Sequence, residues 1–160
     1  MTMTRNETVI EAVPDLPVIR LVREFEAPRE QVFRAYTDPD LVRRWLGPRR
    51  LRMEIERYDA VTGGGYRYRH IDTDDTEYKF FGSFHEVRPS ERIVQTFTFE
   101  GVPDGVSLET ATFEDLGGGR SRVTSVSVVE TIEARDMILA SGMETGVVEG
   151  YERLDELLAT

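Results

Sequence analysis

Residues 142–158 read GMETGVVEGYERLDELL. Val147, Val148, Tyr151, Leu154 and Leu158 fall on one side of an α-helix, and Ala140 extends the stripe backwards. The spacing predicts one long helix from about Glu133 to Ala159, broken near Ser141-Gly142. Upstream, the period changes from three-and-four to two. Leu51, Met53 and Ile55 alternate with Arg52, Glu54 and Glu56, and Tyr66, Tyr68 and His70 alternate with Arg67 and Arg69. Tyr78, Phe80, Gly82 and Phe84 continue an aromatic face up to a Pro89-Ser90 turn. Ile93, Gln95, Phe97 and Phe99 follow, then Leu108 to Glu114, a hairpin at Gly117-Gly118-Gly119, and Val123 to Val129. Everything from Leu51 to Thr131 therefore reads as antiparallel strands.

Ahead of this run, Val18 to Glu26 is a strand rich in β-branched residues and stopped by Ala27-Pro28. Two short helices follow. One opens at Pro28 and carries Val32, Phe33, Ala35 and Tyr36; the other has Asp38 as its cap, Pro39 in its first turn and Leu41, Val42, Trp45 and Leu46 as its apolar face. Residues 1–17, with Arg5, Glu7, Glu11 and Asp15 and no apolar core, are neither a signal peptide nor a membrane anchor and read as a loosely ordered leader to a single domain at 18–160. The order strand, helix pair, strand meander, long helix defines an α+β domain whose curved antiparallel sheet wraps the C-terminal helix, with a cavity between them.

Composition narrows the function. With 39% hydrophobic and 31% charged residues the chain is a globular protein, and a net charge of −10 opposes binding to nucleic acid or anionic membranes. The absence of cysteine excludes disulfide scaffolds, thiolate metal sites and thiol catalysis. With two histidines, His70 and His85, no metal site is expected. No phosphate-binding P-loop, nucleotide fingerprint, nucleophile elbow or zinc-protease motif occurs, so no cofactor is expected either. Without an export signal or a long apolar segment, the expected compartment is the cytoplasm.

The pieces of this order also carry a family resemblance. Glu24-Phe25-Glu26-Ala27-Pro28, the helix pair from Thr37-Asp38-Pro39 to Trp45-Leu46-Gly47-Pro48, and Gly64-Gly65-Tyr66-Arg67-Tyr68 are its first parts. Gly82 to Pro89 with Glu91-Arg92-Ile93, then Gly142-Met143 and Tyr151-Glu152-Arg153-Leu154, complete it. Over residues 18–158 the chain resembles the START-like (SRPBCC, helix-grip) superfamily. Within that superfamily it is similar to bacterial proteins related to the C-terminal domain of the activator of the ninety-kilodalton heat-shock protein ATPase. The resemblance implies a helix-grip fold that hosts lipid carriers, hormone receptors, polyketide cyclases and co-chaperone domains. It also implies, through the heat-shock connection, a place in the stress response.

The leading expectation is binding of a small hydrophobic or aromatic molecule between sheet and helix. Tyr66, Tyr68, His70, Tyr78 and Phe80 would form one part of the wall, and Phe84, Phe97 and Phe99 another, although such rings can equally fill a core. From the helix would come Met143, Glu144 and Val147. Glu144 falls within the apolar stripe, where a carboxylate would orient a ligand or serve as acid or base in a pair with His70, unless a kink at Gly142 turns it to solvent. Gly142, Gly146 and Gly150 line one side of the helix at about 1 kcal/mol each, giving either cavity space or close packing. Trp45 would gate the cavity mouth or plug the gap between helix pair and sheet. Arg43, Arg44, Arg49 and Arg50, with Arg52 nearby, form a basic cluster that would take an acidic protein partner or simply pair with the chain's own carboxylates. The alternatives are a co-chaperone-like interaction module and a cyclase or lyase using the same cavity, with binding preferred over catalysis. The expected state is monomer or homodimer.

Overall fold

The computed structural model describes residues 6–160. Eight strands form one antiparallel sheet: β1 (Val9–Ala12), β2 (Val18–Phe25), β3 (Arg52–Tyr58), β4 (Gly65–Ile71), β5 (Glu77–Arg88), β6 (Arg92–Phe99), β7 (Ser107–Gly117) and β8 (Arg120–Val128). Four helices accompany them: α1 (Arg29–Thr37), α2 (Pro39–Trp45), α3 (Ile132–Ala140) and α4 (Met143–Leu158). The sheet order is β1-β2-β8-β7-β6-β5-β4-β3, so β3 to β8 run as a meander and β2 closes onto its last strand. The α+β class expected from the alternation of periods is present, and so is the helix-grip arrangement that the family resemblance implies.

Residues facing each other across antiparallel strands share a face. Register therefore assigns the concave floor: Leu21 opposite Ser125, Glu109 opposite both Gln95 and Ser127, Phe80 opposite Tyr68 and Phe99, and His70 opposite Met53. The core lies on this face, where Phe25, Phe84, Val123 and Leu154 are fully buried.

Helix α4 crosses the concave side. Tyr151 meets Phe25 edge-on at 5.4 Å, and Asp155 receives two hydrogen bonds, 3.1 and 2.5 Å, from the guanidinium of Arg23. Arg23 is buried, and its guanidinium also lies 5.0 Å from the Phe25 ring, so the aromatic faces and the carboxylate share its charge. The Asp38 carboxylate accepts from the Asp40 backbone at 2.9 Å with Pro39 in the first turn, as the sequence predicts.

The leader expected over residues 1–17 needs correction. Residues 1–5 lie outside the described residues, but 9–12 form an edge strand paired with β2, with Ile10 packed on the core opposite Leu21. Asp15, at φ 63°, and the Val13 N–H donating to the Val18 carbonyl close the hairpin. The helix pair thus follows the second strand. The expected long C-terminal helix is two helices, because Gly142 sits at φ 88°, a left-handed conformation that ends one helix and begins the next.

Candidate functional site

The concave floor divides into a sealed half and an open half. Tyr66, Tyr68 and Phe84 are buried; Tyr66 donates to the Thr96 carbonyl at 2.5 Å, and Phe84 packs against both Tyr58 and Tyr66. Tyr66 and Phe84, expected to line a ligand site, pack within the core. Tyr78, Phe80, Phe97 and Phe99 lie further along β5 and β6 and are only half-buried. Phe80 stacks on Phe97 at 5.4 Å and meets Phe99 at 5.3 Å, with Tyr68 on its other side at 5.2 Å. Helix α3 has no buried residue, and Met143 and Val147 at the start of α4 are half-buried.

Trp45 is buried, donates its indole N–H to the Ala35 carbonyl at 2.8 Å, and stacks on Tyr151 at 5.9 Å. It plugs the junction of α1, α2 and α4, so the gating role is not found. Glu144 is exposed in the first turn of α4. The helix restart at Gly142 turns it out of the stripe in which an unbroken helix would have buried it, and no His70–Glu144 pair forms. His70 is buried against Gly47 and Phe80. Burial holds its pKa down at about 4 although the Leu46 backbone offers a hydrogen bond, so the imidazole is neutral, and its Nε2 has no partner.

The glycines resolve towards packing, against the helix-pair loop rather than a strand. A Cβ on Gly150 would stand 3.1 Å from the Trp45 carbonyl and 3.3 Å from the Gly47 nitrogen, and one on Gly146 would stand 3.4 Å from Pro48.

One residue of the floor escapes the sequence reading. Glu109 is half-buried on the concave face of β7. Its hydrogen bond is with the Ser127 hydroxyl, at 3.2 Å. Desolvation lifts its pKa to about 7, the Ser127 bond opposing the rise, and no cation among the described residues pairs with it. Its field reaches Tyr66, Tyr68 and Tyr151 and raises their pKa values further, in each case behind the larger effect of burial. The Tyr68 hydroxyl makes no hydrogen bond among the described residues. A half-open aromatic floor thus ends in an acid and a phenol that protein groups leave largely unpartnered.

The arginine cluster is mostly internally engaged. Arg43 pairs with Asp40 at 3.2 Å, Arg50 with Asp72 at 3.4 Å, and Arg49 with Glu156. Arg44 is not so engaged; with Arg49 and Arg153 it edges a surface hollow of about 240 Å³ beside Glu156 and Leu157.

Comparison with other proteins fits this architecture. The profile of the family described as activator of Hsp90 ATPase homolog 1-like protein matches residues 26–159. The chain belongs to this family. A crystal structure of a protein from Rhodobacter sphaeroides is 26% identical, with a TM-score of 0.85 over 94% of this chain and 97% of its own. A solution structure of a protein from Arthrobacter aurescens is 25% identical, with a TM-score of 0.86 over 94% and 91%. The AHSA1 protein of Silicibacter pomeroyi, at 21% identity and a TM-score of 0.74 over 89% and 97%, shares the fold. No curated protein sequence matches the chain. No helix among the described residues is long and apolar enough to cross a membrane.

Proposed function

We propose that this member of the activator of Hsp90 ATPase homolog 1-like family binds a small, largely apolar molecule in the cytoplasm, on the concave floor beneath α3 and α4. The observation that carries the reading is the half-buried ring cluster of Tyr78, Phe80, Phe97 and Phe99 on the concave face of the sheet. Rings in a closed core surrender nearly all their surface, as Phe84 does; these retain some on a face walled by helices, the usual character of a small-molecule site. Native mass spectrometry of the purified protein, with denaturing extraction of anything retained, reads such a ligand directly. Titration with 2-phenylethanol, followed by ring-proton NMR, is expected to shift Phe80, Phe97 and Phe99 before Phe84. An empty protein whose ring resonances stay fixed at millimolar 2-phenylethanol would end the proposal.

A second reading rests on the hollow of Arg44, Arg49 and Arg153, which offers a docking point to an acidic protein segment. Arg44→Glu is expected to weaken capture of an acidic peptide without altering 2-phenylethanol binding, and equal capture by the variant would remove this reading.

A further inference from the structure

Glu109 lies on the same sheet face as the rings, with Gln95 across one strand pair and Ser127 across the other. Phe97 stands diagonally beside it on β6, since Phe97 faces Ser107, two residues before Glu109. Its carboxylate has two oxygens able to take several hydrogen bonds, and the protein supplies one, from a hydroxyl. The groups that face it are neutral: Ser127 from β8, Gln95 from β6, Tyr66 and Tyr68 from β4, and Tyr151 from α4. Among the described residues the one buried arginine on that face, Arg23, is committed to Asp155. A desolvated carboxylate without a cation, next to stacked aromatic faces, is the pairing that recognises an organic ammonium group: the acid takes its N–H donors and the ring faces take its charge.

The geometry points to a ligand that carries a protonated amine on an apolar, aromatic-sized body, its nitrogen held by Glu109 and the Tyr68 hydroxyl oxygen and its body on Phe80, Phe97 and Phe99. This rests on the cavity reading above and adds the chemical class of the occupant.

Binding a cation favours the ionised carboxylate, so a proton leaves Glu109 when the amine arrives at neutral pH. The test is calorimetric titration of wild-type protein and Glu109→Gln with 2-phenylethylamine, 2-phenylethanol and 3-phenylpropanoate at pH 6 and pH 8. Both the amine and the carboxylate probe keep their charge over this range. In wild type the amine is expected to bind roughly tenfold more tightly at pH 8 than at pH 6, following ionisation of a group titrating near 7. Glu109→Gln should bind the amine at least about tenfold more weakly at pH 8, lose the pH dependence and lose the preference for the amine over 2-phenylethanol. Because the variant removes a buried charge, it is expected to melt no lower than wild type at pH 8. Equal amine affinity in the two proteins, or 3-phenylpropanoate preferred to the amine, with the alcohol still bound, would overturn the amine assignment alone. Failure of every probe to bind wild type would overturn the cavity reading and this inference together.

Discussion

His70 and Glu109 face the same interior and titrate in opposite senses. The imidazole is pushed down to about 4 from 6.5, so between those values the unfolded chain holds a proton that the folded chain does not. Stability from this source is full above pH 6.5 and is lost as pH falls towards 4, by on the order of 3 kcal/mol. Glu109, raised from 4.5 to about 7, holds a proton in the folded state that the unfolded chain releases, so its contribution falls as pH rises through that interval. The two slopes oppose each other in the wild-type protein. The difference in denaturant midpoint between wild type and His70→Gln isolates the first, and should shrink or reverse from pH 7 to pH 4.5. A difference that stays constant would show that His70 is not held neutral by burial. The period-two pattern is enough to put His70 on the floor, since Tyr66 and Tyr68 precede it in phase. Glu109 is harder to place. Its strand, SLETATFE, offers Leu108 on one face and Ala111 and Phe113 on the other, and only pairing with Gln95 and Ser127 shows which face is inward. Leu108, the most apolar-looking candidate, is 45% exposed.

At the scale of elements, the two inward glycines of α4 separate helix propensity from packing. Alanine is favoured over glycine inside a helix by about 1 kcal/mol. Gly146→Ala meets only the edge of Pro48 at 3.4 Å and is expected to hold or raise the melting temperature. Gly150→Ala presses on the backbone of Trp45 and Gly47 and is expected to lower it. Equal effects in thermal melts would refute the close approach of α4 to the helix-pair loop. The helix pair itself is legible from sequence because its caps are local chemistry, Asp38 and Pro39 acting within one turn of themselves. Strand β1 is not legible: four residues, VIEA, carry too short a pattern, and what fixes them is a partner strand across a turn. The division of the last helix is half-legible, since Gly142 marks the break while the outward swing of Glu144 depends on its φ of 88°.

For the whole molecule, buried Arg23 on β2 and half-buried Asp155 on α4 form a charged link between sheet and C-terminal helix. Asp155→Ala would leave a guanidinium buried with only the Glu24 carbonyl and Thr8 hydroxyl as partners, and is expected to cost about 3–5 kcal/mol in equilibrium denaturation. Asp155→Ala combined with Arg23→Met should recover much of that loss, because an apolar side chain suits the site once the charge is gone. If the double variant is no more stable than the single one, the loss came from α4 packing and not from the stranded charge. The antiparallel order of the meander can be read from spacing alone. The closure of β2 onto β8 requires the complete chain.

That closure has a consequence for how the protein comes into being. β2 pairs Phe25 with Ser121 and Val18 with Val128, so it must wait for about a hundred later residues to emerge from the ribosome. At about 5–20 residues per second the delay is roughly 5–20 s. During that interval the inward side of the β1–β2 hairpin, with Ile19, Leu21 and Phe25, has no sheet to join. Until β8 is made the nascent chain therefore carries β2 without its partner strand, and a ribosome that stalls before β8 leaves that apolar side uncovered.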